Sequence, residues 1–303
     1  MEKCKFCGSS EQLEFNAKEQ MFGIGEAFVY KECKSCGSLQ LATVPSDMSP
    51  YYSGGYYSFQ ELVPSSSLKN LFKTLRLKAF FLIGRKEFEP TYGYWLKKLK
   101  PKFSDRIADI GCGNGQLLYE LFASGYQDLH GFDPFMSQEK VISPNLTLWK
   151  KTIEESEMQF DLIMMHHSFE HMSDPLEILN SCFEKLQSGG KLLIRTPVSD
   201  AQVWKEERAF WVQLDAPRHL IIPSIKGFEL VSKKVGFELK EVEFDSTDFQ
   251  FWGTELYKRG LPLDPELVSN EFSKEEFEEY QKKALYYNQE GLGDQVCFYL
   301  TKP

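Results

Sequence analysis

The sequence predicts a doubly wound α/β protein, a seven-stranded sheet covered by helices, with a small four-cysteine module ahead of it. Three observations carry that expectation. From Arg106 onward, short apolar runs alternate with amphipathic helical stretches, the pattern of parallel strands joined by covering helices. The first of these runs ends in a glycine turn (Gly111, Gly113, Gly115) that opens a helix. Cys4, Cys7, Cys33 and Cys36 form two C-x2-C pairs within the first 36 residues.

Size and composition fit that picture. A chain of 303 residues, 42% hydrophobic and 15% aromatic, has core enough for one large domain plus a module, and is not a disordered polymer. No run approaches the roughly 18 apolar residues of a membrane span, and the N-terminus lacks the apolar core of a signal peptide. A cytoplasmic protein with reduced thiols is expected. The net charge of −9 is uneven: −2 over residues 1–48, +7 over 49–103 and −14 over 104–303. These steps divide the chain into the module, a linker with a basic helix, and a main domain. The acidic total makes nucleic acid an unlikely partner.

In the module, each C-x2-C can set two thiolates on one side of a turn, with Gly8 and Gly37 following the pairs. Four thiolates in a tetrahedron are a closed structural zinc site. The residues between the pairs predict short strands. So small a module buries little core alone, so metal ligation is expected to supply much of its folding free energy. Unligated thiols and a redox dithiol are the alternatives.

The linker from Pro45 to Phe59 is rich in Gly, Pro and Ser yet carries Tyr51, Tyr52, Tyr56, Tyr57 and Phe59. Its rings either close over a ligand or pack on the next domain. The following helix sets Leu68, Leu71, Phe72, Leu75, Ala79 and Leu82 at helical spacing, among Lys69, Lys73, Arg76, Lys78, Arg85 and Lys86. The stripe is expected to pack on the main domain. Peripheral contact of residues 68–86 with an anionic membrane, or lysine contact with a phosphorylated substrate, are the other readings.

In the main domain, Ile107 to Ile110 is a strand, the glycine turn follows, and a helix starts near Gln116. Asp109 sits just inside the loop, where it suits a positively charged ligand group. A second strand ends in Asp133, an acid placed to accept hydrogen bonds from ribose hydroxyls. A strand from Asp161 to Met165 leads into His166, His167, Glu170 and His171. His167, Glu170 and His171 match H-x-x-E-H, a zinc-peptidase arrangement, but here it follows a buried strand at the point where a doubly wound sheet opens its crevice. A neutral histidine there can act as a general base, with Glu170 orienting it. A fifth strand follows Gly189 and Gly190. Trp211, Asp215, Arg218 and His219 then form a loop in which Arg218 either binds an anion or anchors the loop, and His219 is an alternative base. One more strand, a helix capped by Ser273 and Glu276, and a final strand complete the sheet.

The D-x-G-x-G-x-G stretch (Asp109, Gly111, Gly113, Gly115) resembles motif I of the class I S-adenosylmethionine (SAM)-dependent methyltransferases. The resemblance implies SAM as cofactor, held by Asp109, Gly111, Cys112, Gly113, Asn114, Gly115 and Asp133. It further implies Ile153 against adenine and His166 at the cofactor. Residues 51–59, LDAPRHL, DSTDFQFWGTELY and GDQVCFYL resemble a bacterial group of zinc-ribbon methyltransferases associated with surface-polysaccharide and sugar biosynthesis. That resemblance implies methyl transfer to a sugar or glycan, with His167, His171 or His219 as base. An rRNA or tRNA methyltransferase using the module for RNA recognition, and a non-catalytic binding protein on the same fold, are the rival readings.

Overall fold

The computed structural model describes residues 3–52, 62–90 and 93–303. Tyr56, Tyr57 and Phe59 of the aromatic linker lie outside the described residues. The first strands are β1 (Gln12–Lys18), β2 (Ala27–Cys33) and β3 (Leu39–Leu41). Helices α1 (Ser67–Ile83) and α2 (Tyr94–Leu99) lead to β4 (Arg106–Ile110), α3 (Gln116–Ala123) and β5 (Asp128–Phe132). Then come β6 (Lys140–Ser143), β7 (Leu146–Trp149), β8 (Phe160–His166), α4 (Pro175–Lys185), β9 (Leu186–Pro197) and α5 (Gln202–Glu207). The last third holds β10 (Ile221–Ile222), α6 (Ile225–Val235), β11 (Glu238–Phe244), α7 (Phe249–Lys258), α8 (Pro265–Glu271), α9 (Lys274–Gln289) and β12 (Gln295–Thr301).

Among the described residues the strand order of the main sheet is β11-β12-β9-β8-β4-β5-β7-β6, eight strands rather than the seven expected. The addition is β6, a short edge strand running antiparallel to β7. Its pattern of mixed exposure gives it no core-strand signature in the sequence.

The chain divides into two compact units. The first, called the sheet unit, comprises Gly54–His166, Ser181–Leu193 and Tyr299–Pro303. Here β4 pairs in parallel with both β5 and β8, and β5 with β7. Ile107, Ala108 and Ile110 are buried, as are Leu162 to Met165, because a central parallel strand is covered on both faces. Helix α1 begins at Ser66, whose side chain accepts from the Lys69 N–H, and ends at Gly84 in the left-handed conformation.

The buried face of α1 is not the stripe that residue counting selects. Leu68, Leu71, Phe72, Leu75 and Leu82 are exposed, while Leu77 and Phe80 are buried. The helix meets α3 through Lys73, whose Nζ lies 2.7 Å from Glu120, and Thr74, whose hydroxyl donates to the Ala123 carbonyl at 3.3 Å. Residues 73, 77 and 80 keep helical spacing, but the face is rotated. The polar groups of α3 set that rotation, and the sequence of α1 alone does not contain them.

The second, the cysteine unit, comprises Met1–Ser53, His167–Asn180 and Ile194–Phe298. It has its own sheet, β1-β2-β3-β10, built on a β1–β2 hairpin in register from Gln12 opposite Cys33 to Lys18 opposite Ala27. The short β10 pairs with β3 through Ile221 opposite Gln40 and Ile222 opposite Leu39. Tyr30, Leu39 and Leu41 share one core with Trp204, Trp211, Leu214 and Phe251. The N-terminal strands therefore bury their apolar face against the C-terminal third.

At the centre of this unit is Arg218, with no solvent exposure. Its guanidinium donates to both carboxylate oxygens of Asp215 at 2.6–3.0 Å, to Glu19 at 2.9 Å and to the Tyr51 carbonyl at 3.0 Å. Glu19 is also fully buried and accepts the N–H groups of Phe22 and Ile24. Arg218 thus anchors its loop and is not available to an external anion. Replacing Arg218 with Ala strands two buried carboxylates, and about 3–5 kcal/mol of stability should be lost. Denaturant midpoints would check this, with Arg208→Ala, which breaks a half-exposed pair with Glu32, expected to cost under about 1 kcal/mol.

Candidate active site

The glycine loop lies at the end of β4 in the sheet unit. Gly115 ends the loop at φ 81°, and a Cβ there would stand 2.5 Å from the Leu148 side chain. A Cβ on Gly131 of β5 would stand 2.5 Å from the Cys112 sulfur. Cys112 is accordingly packed beneath the loop and buried, with its carbonyl accepting the Gly115 N–H at 2.9 Å. Asn114 accepts the Gln116 N–H at 3.0 Å, so its side chain caps the start of α3. Asp133 receives the Gly113 N–H at 3.0 Å and the Phe135 N–H at 2.9 Å, one on each carboxylate oxygen. Each oxygen retains a further lone pair. Asp109 is buried, and burial together with the Asp133 charge pushes its carboxyl up to about 8. A cationic ligand group is the counter-charge this pair lacks, which fits the ammonium and sulfonium of SAM. Ile153 is buried in the turn after β7, and the His166 ring lies 5.0 Å from that of Trp95.

The other candidate residues gather in the cysteine unit. His167 has φ 52°, a left-handed conformation rare for a side-chain-bearing residue. Its Nε2 accepts from Arg195 at 2.8 Å, so Nδ1 carries the proton and faces Glu170 Oε1 at 3.4 Å. Nε2 is therefore engaged, whereas Nδ1 only faces the Glu170 carboxylate. Glu170 is fully buried and its Oε2 accepts from the Thr196 hydroxyl at 2.9 Å. Burial opposes its charge, but the neighbouring His167, His219 and His171 hold it down at about 2, a carboxylate at any working pH. His219 is buried, which pushes it down to about 4 against the pull of Asp215, so its ring is neutral. His171 is half-buried, with its Nδ1 donating to the Arg218 carbonyl at 2.9 Å. Its ring packs edge-on against His219, centroids 4.9 Å apart.

Sequence reading missed the supports of this cluster. The Tyr30 hydroxyl holds the His219 carbonyl at 2.8 Å, and Tyr52 approaches His171 at 3.4 Å. Arg195, which orients His167, is itself paired with Asp245. A signal did exist for Arg195 and Thr196, as polar residues that interrupt the apolar run of β9. Tyr30 carried none, since its partner lies far along the chain, and Tyr52 stood out only as one ring of the aromatic linker.

The four cysteines form one group. Cys4 and Cys36 sulfurs are 3.7 Å apart and those of Cys7 and Cys33 are 3.5 Å apart. Zinc–sulfur bonds of about 2.3 Å in a tetrahedron put sulfurs about 3.8 Å apart, so the spacing fits. A hydrogen bond from Cys4 brings Cys36 down to about 4, whereas burial pushes Cys7 up to about 11.

The fold and glycine loop define a SAM-methyltransferase-type α/β domain. A family model described as a methyltransferase domain matches residues 81–242, more than half of the chain, and the chain belongs to that family. Curated relatives named tRNA U34 carboxymethyltransferase include one from Sulfurovum sp. (strain NBC37-1), 28% identical over 166 residues, which are 50% of this chain and 54% of that protein. Another, from Azotobacter vinelandii, is 26% identical over 152 residues, covering 44% and 45% respectively. The chain thus spans about half the length of these relatives. Among solved structures, the cyclopropane synthase MmaA2 from Mycobacterium tuberculosis has a TM-score of 0.46 at 18% identity, covering 84% of this chain and 92% of that one.

These relatives correct two expectations. The sugar or glycan acceptor gives way, because the named relatives act on tRNA. The exclusion of nucleic acid falls with it: a net charge sums over the whole surface, whereas phosphate contact needs only a local basic stretch. No helix among the described residues is long and apolar enough to cross a membrane.

Asp109 makes a pH-dependent prediction. Its carboxyl titrates near 3.9 when unfolded and about 8 when folded, so the folded state keeps a proton that the unfolded state releases. Its cost to stability therefore grows as pH rises from about 4 to about 8 and is constant above. Asp109→Asn should melt higher than the parent, by a margin widening across that window, while losing affinity for S-adenosylhomocysteine. Melting curves from pH 5 to 9 would check it, a margin independent of pH counting against.

Proposed function

We propose that this chain uses SAM to transfer a methyl-type group to a nucleobase of tRNA. Family membership together with the Asp109–Gly115 loop and Asp133 carries the first half of that reading, and the names of the curated relatives support the second. The loop backbone and Asp109 would hold the amino-acid end of SAM, and Asp133 its ribose. Bound there, SAM supplies an electrophilic carbon on a sulfonium. In the histidine cluster, His167 spends its Nε2 lone pair on Arg195 and His219 is buried, which leaves His171 with the most accessible lone pair.

The acidic total does not stand against an RNA acceptor. Lys69, Lys78, Lys97, Lys98, Lys100 and Lys102 are all exposed in the sheet unit, in the segment that carries +7. Such a run supplies phosphate contacts regardless of charge elsewhere. The four cysteines are read as a structural zinc site, because a closed thiolate set leaves no position for substrate. A tRNA substrate would place the protein in the cytoplasm.

Transfer of label from methyl-labelled SAM to unmodified tRNA, followed by nucleoside mass spectrometry, tests the reading. A labelled nucleobase is expected. The Lys97→Glu, Lys98→Glu double variant should bind tRNA at least tenfold more weakly, with a salt slope shallower by about 2, and S-adenosylhomocysteine equally well. SAM-site binding with no tRNA binding at low salt and no labelled nucleoside would sink the tRNA assignment.

A further inference from the structure

In the cysteine unit, three lone pairs converge on one small volume. His171 donates its Nδ1–H to the Arg218 carbonyl at 2.9 Å, and His219 donates its own to the Gln213 carbonyl at 2.7 Å. A carbonyl can only accept, so Nε2 of each ring is left as a bare acceptor. Glu170 gives one oxygen to Thr196, while the other, buried, lies 4.0 Å from His219 Nε2. The Nδ1–H of His167 faces that oxygen from 3.4 Å, too long for a good hydrogen bond. One ligand atom from each of Glu170, His171 and His219 lies within 4.8 Å of the others. Acceptors this close together, two of them on buried residues, repel unless a cation stands between them.

We propose that Glu170, His171 and His219 bind a divalent transition-metal ion of the zinc class, at a second site independent of the four cysteines. Two imidazoles and a carboxylate select zinc or its neighbours over magnesium and calcium, which prefer all-oxygen sites. Metal-bound histidines ordinarily donate their other N–H to a carbonyl or carboxylate, the arrangement already present on both rings. Ligand bonds of about 2.1 Å require the three atoms to close in by about 0.6 Å each, within reach of small torsional changes. Asp215 gives both its oxygens to Arg218 and is not counted among the three ligands, although its Oδ2 lies 3.8 Å from His219 Nε2. Three protein ligands leave a coordination position open, on the half-exposed His171 side, for water or an acceptor oxygen. With the ion in place, His171 is a ligand and no longer a free base.

Cobalt titration of the full chain after chelation tests the proposal. The wild type should take up two equivalents, one showing thiolate-to-cobalt charge transfer and one showing only the weak d–d absorption of nitrogen and oxygen ligands. His171→Ala should abolish the second signal and retain the charge-transfer band, which doubles as proof that the unit is folded. Should that variant lose both bands, the wild type still decides: zinc must shift two histidine Nε2 resonances in long-range proton–nitrogen spectra. Wild-type saturation at the cysteine signal alone, unshifted imidazoles, or a second equivalent that survives His171→Ala would overturn it. The d–d signal appearing without charge transfer would uphold this site and refute the four-cysteine one.

Discussion

A guanidinium shut away from water must have its N–H groups satisfied by protein, and Arg218 obtains its partners from three separate stretches of the chain. Asp215 comes from its own loop, Glu19 from the turn after β1, and the Tyr51 carbonyl from the segment that follows β3. Because both buried carboxylates are uncompensated without it, the three stretches form together or not at all. The Arg218 carbonyl then fixes the ring of His171, and the adjacent residue is His219. The histidine cluster is positioned by an ion pair that touches no substrate.

That dependence gives the four-cysteine module a second role. Its strand β2 supplies Tyr30, which enters the shared core with its ring and holds the His219 carbonyl with its hydroxyl. Whatever organises Cys4, Cys7, Cys33 and Cys36 also organises the hairpin from which Tyr30 projects. A metal there acts on the histidines through packing, with no need to approach them.

In the sheet unit the controlling physics is different. Asp109 and Asp133 stand at the ends of neighbouring parallel strands, and their like charges in a buried place keep Asp109 from ionising. Close backbone approach at Gly115 and Gly131 shapes the turn around them. The turn and its flanking elements were legible in the sequence, because strand, turn, helix and both acids lie within 28 consecutive residues (106–133) and each depends on local geometry. The roles of Cys112 and Asn114 were less legible: one packs under the loop and the other caps a helix, and only side-chain direction separates these from ligand contact.

The sequence by itself determined the α/β class, the glycine loop with its two acids, the cysteine pairs and the spacing of His167, Glu170 and His171. All of these rest on periodicity or on residues close together in the chain. Tertiary structure decided the buried face of α1, the anchoring role of Arg218, the engagement of His167 by Arg195 and the meeting of His171 with His219. Each of these depends on partners 28 to 199 residues away, such as Arg195 for His167 and Glu19 for Arg218. Hydrogen-bond direction and burial are properties of such distant pairs, and one-dimensional spacing carries no record of them.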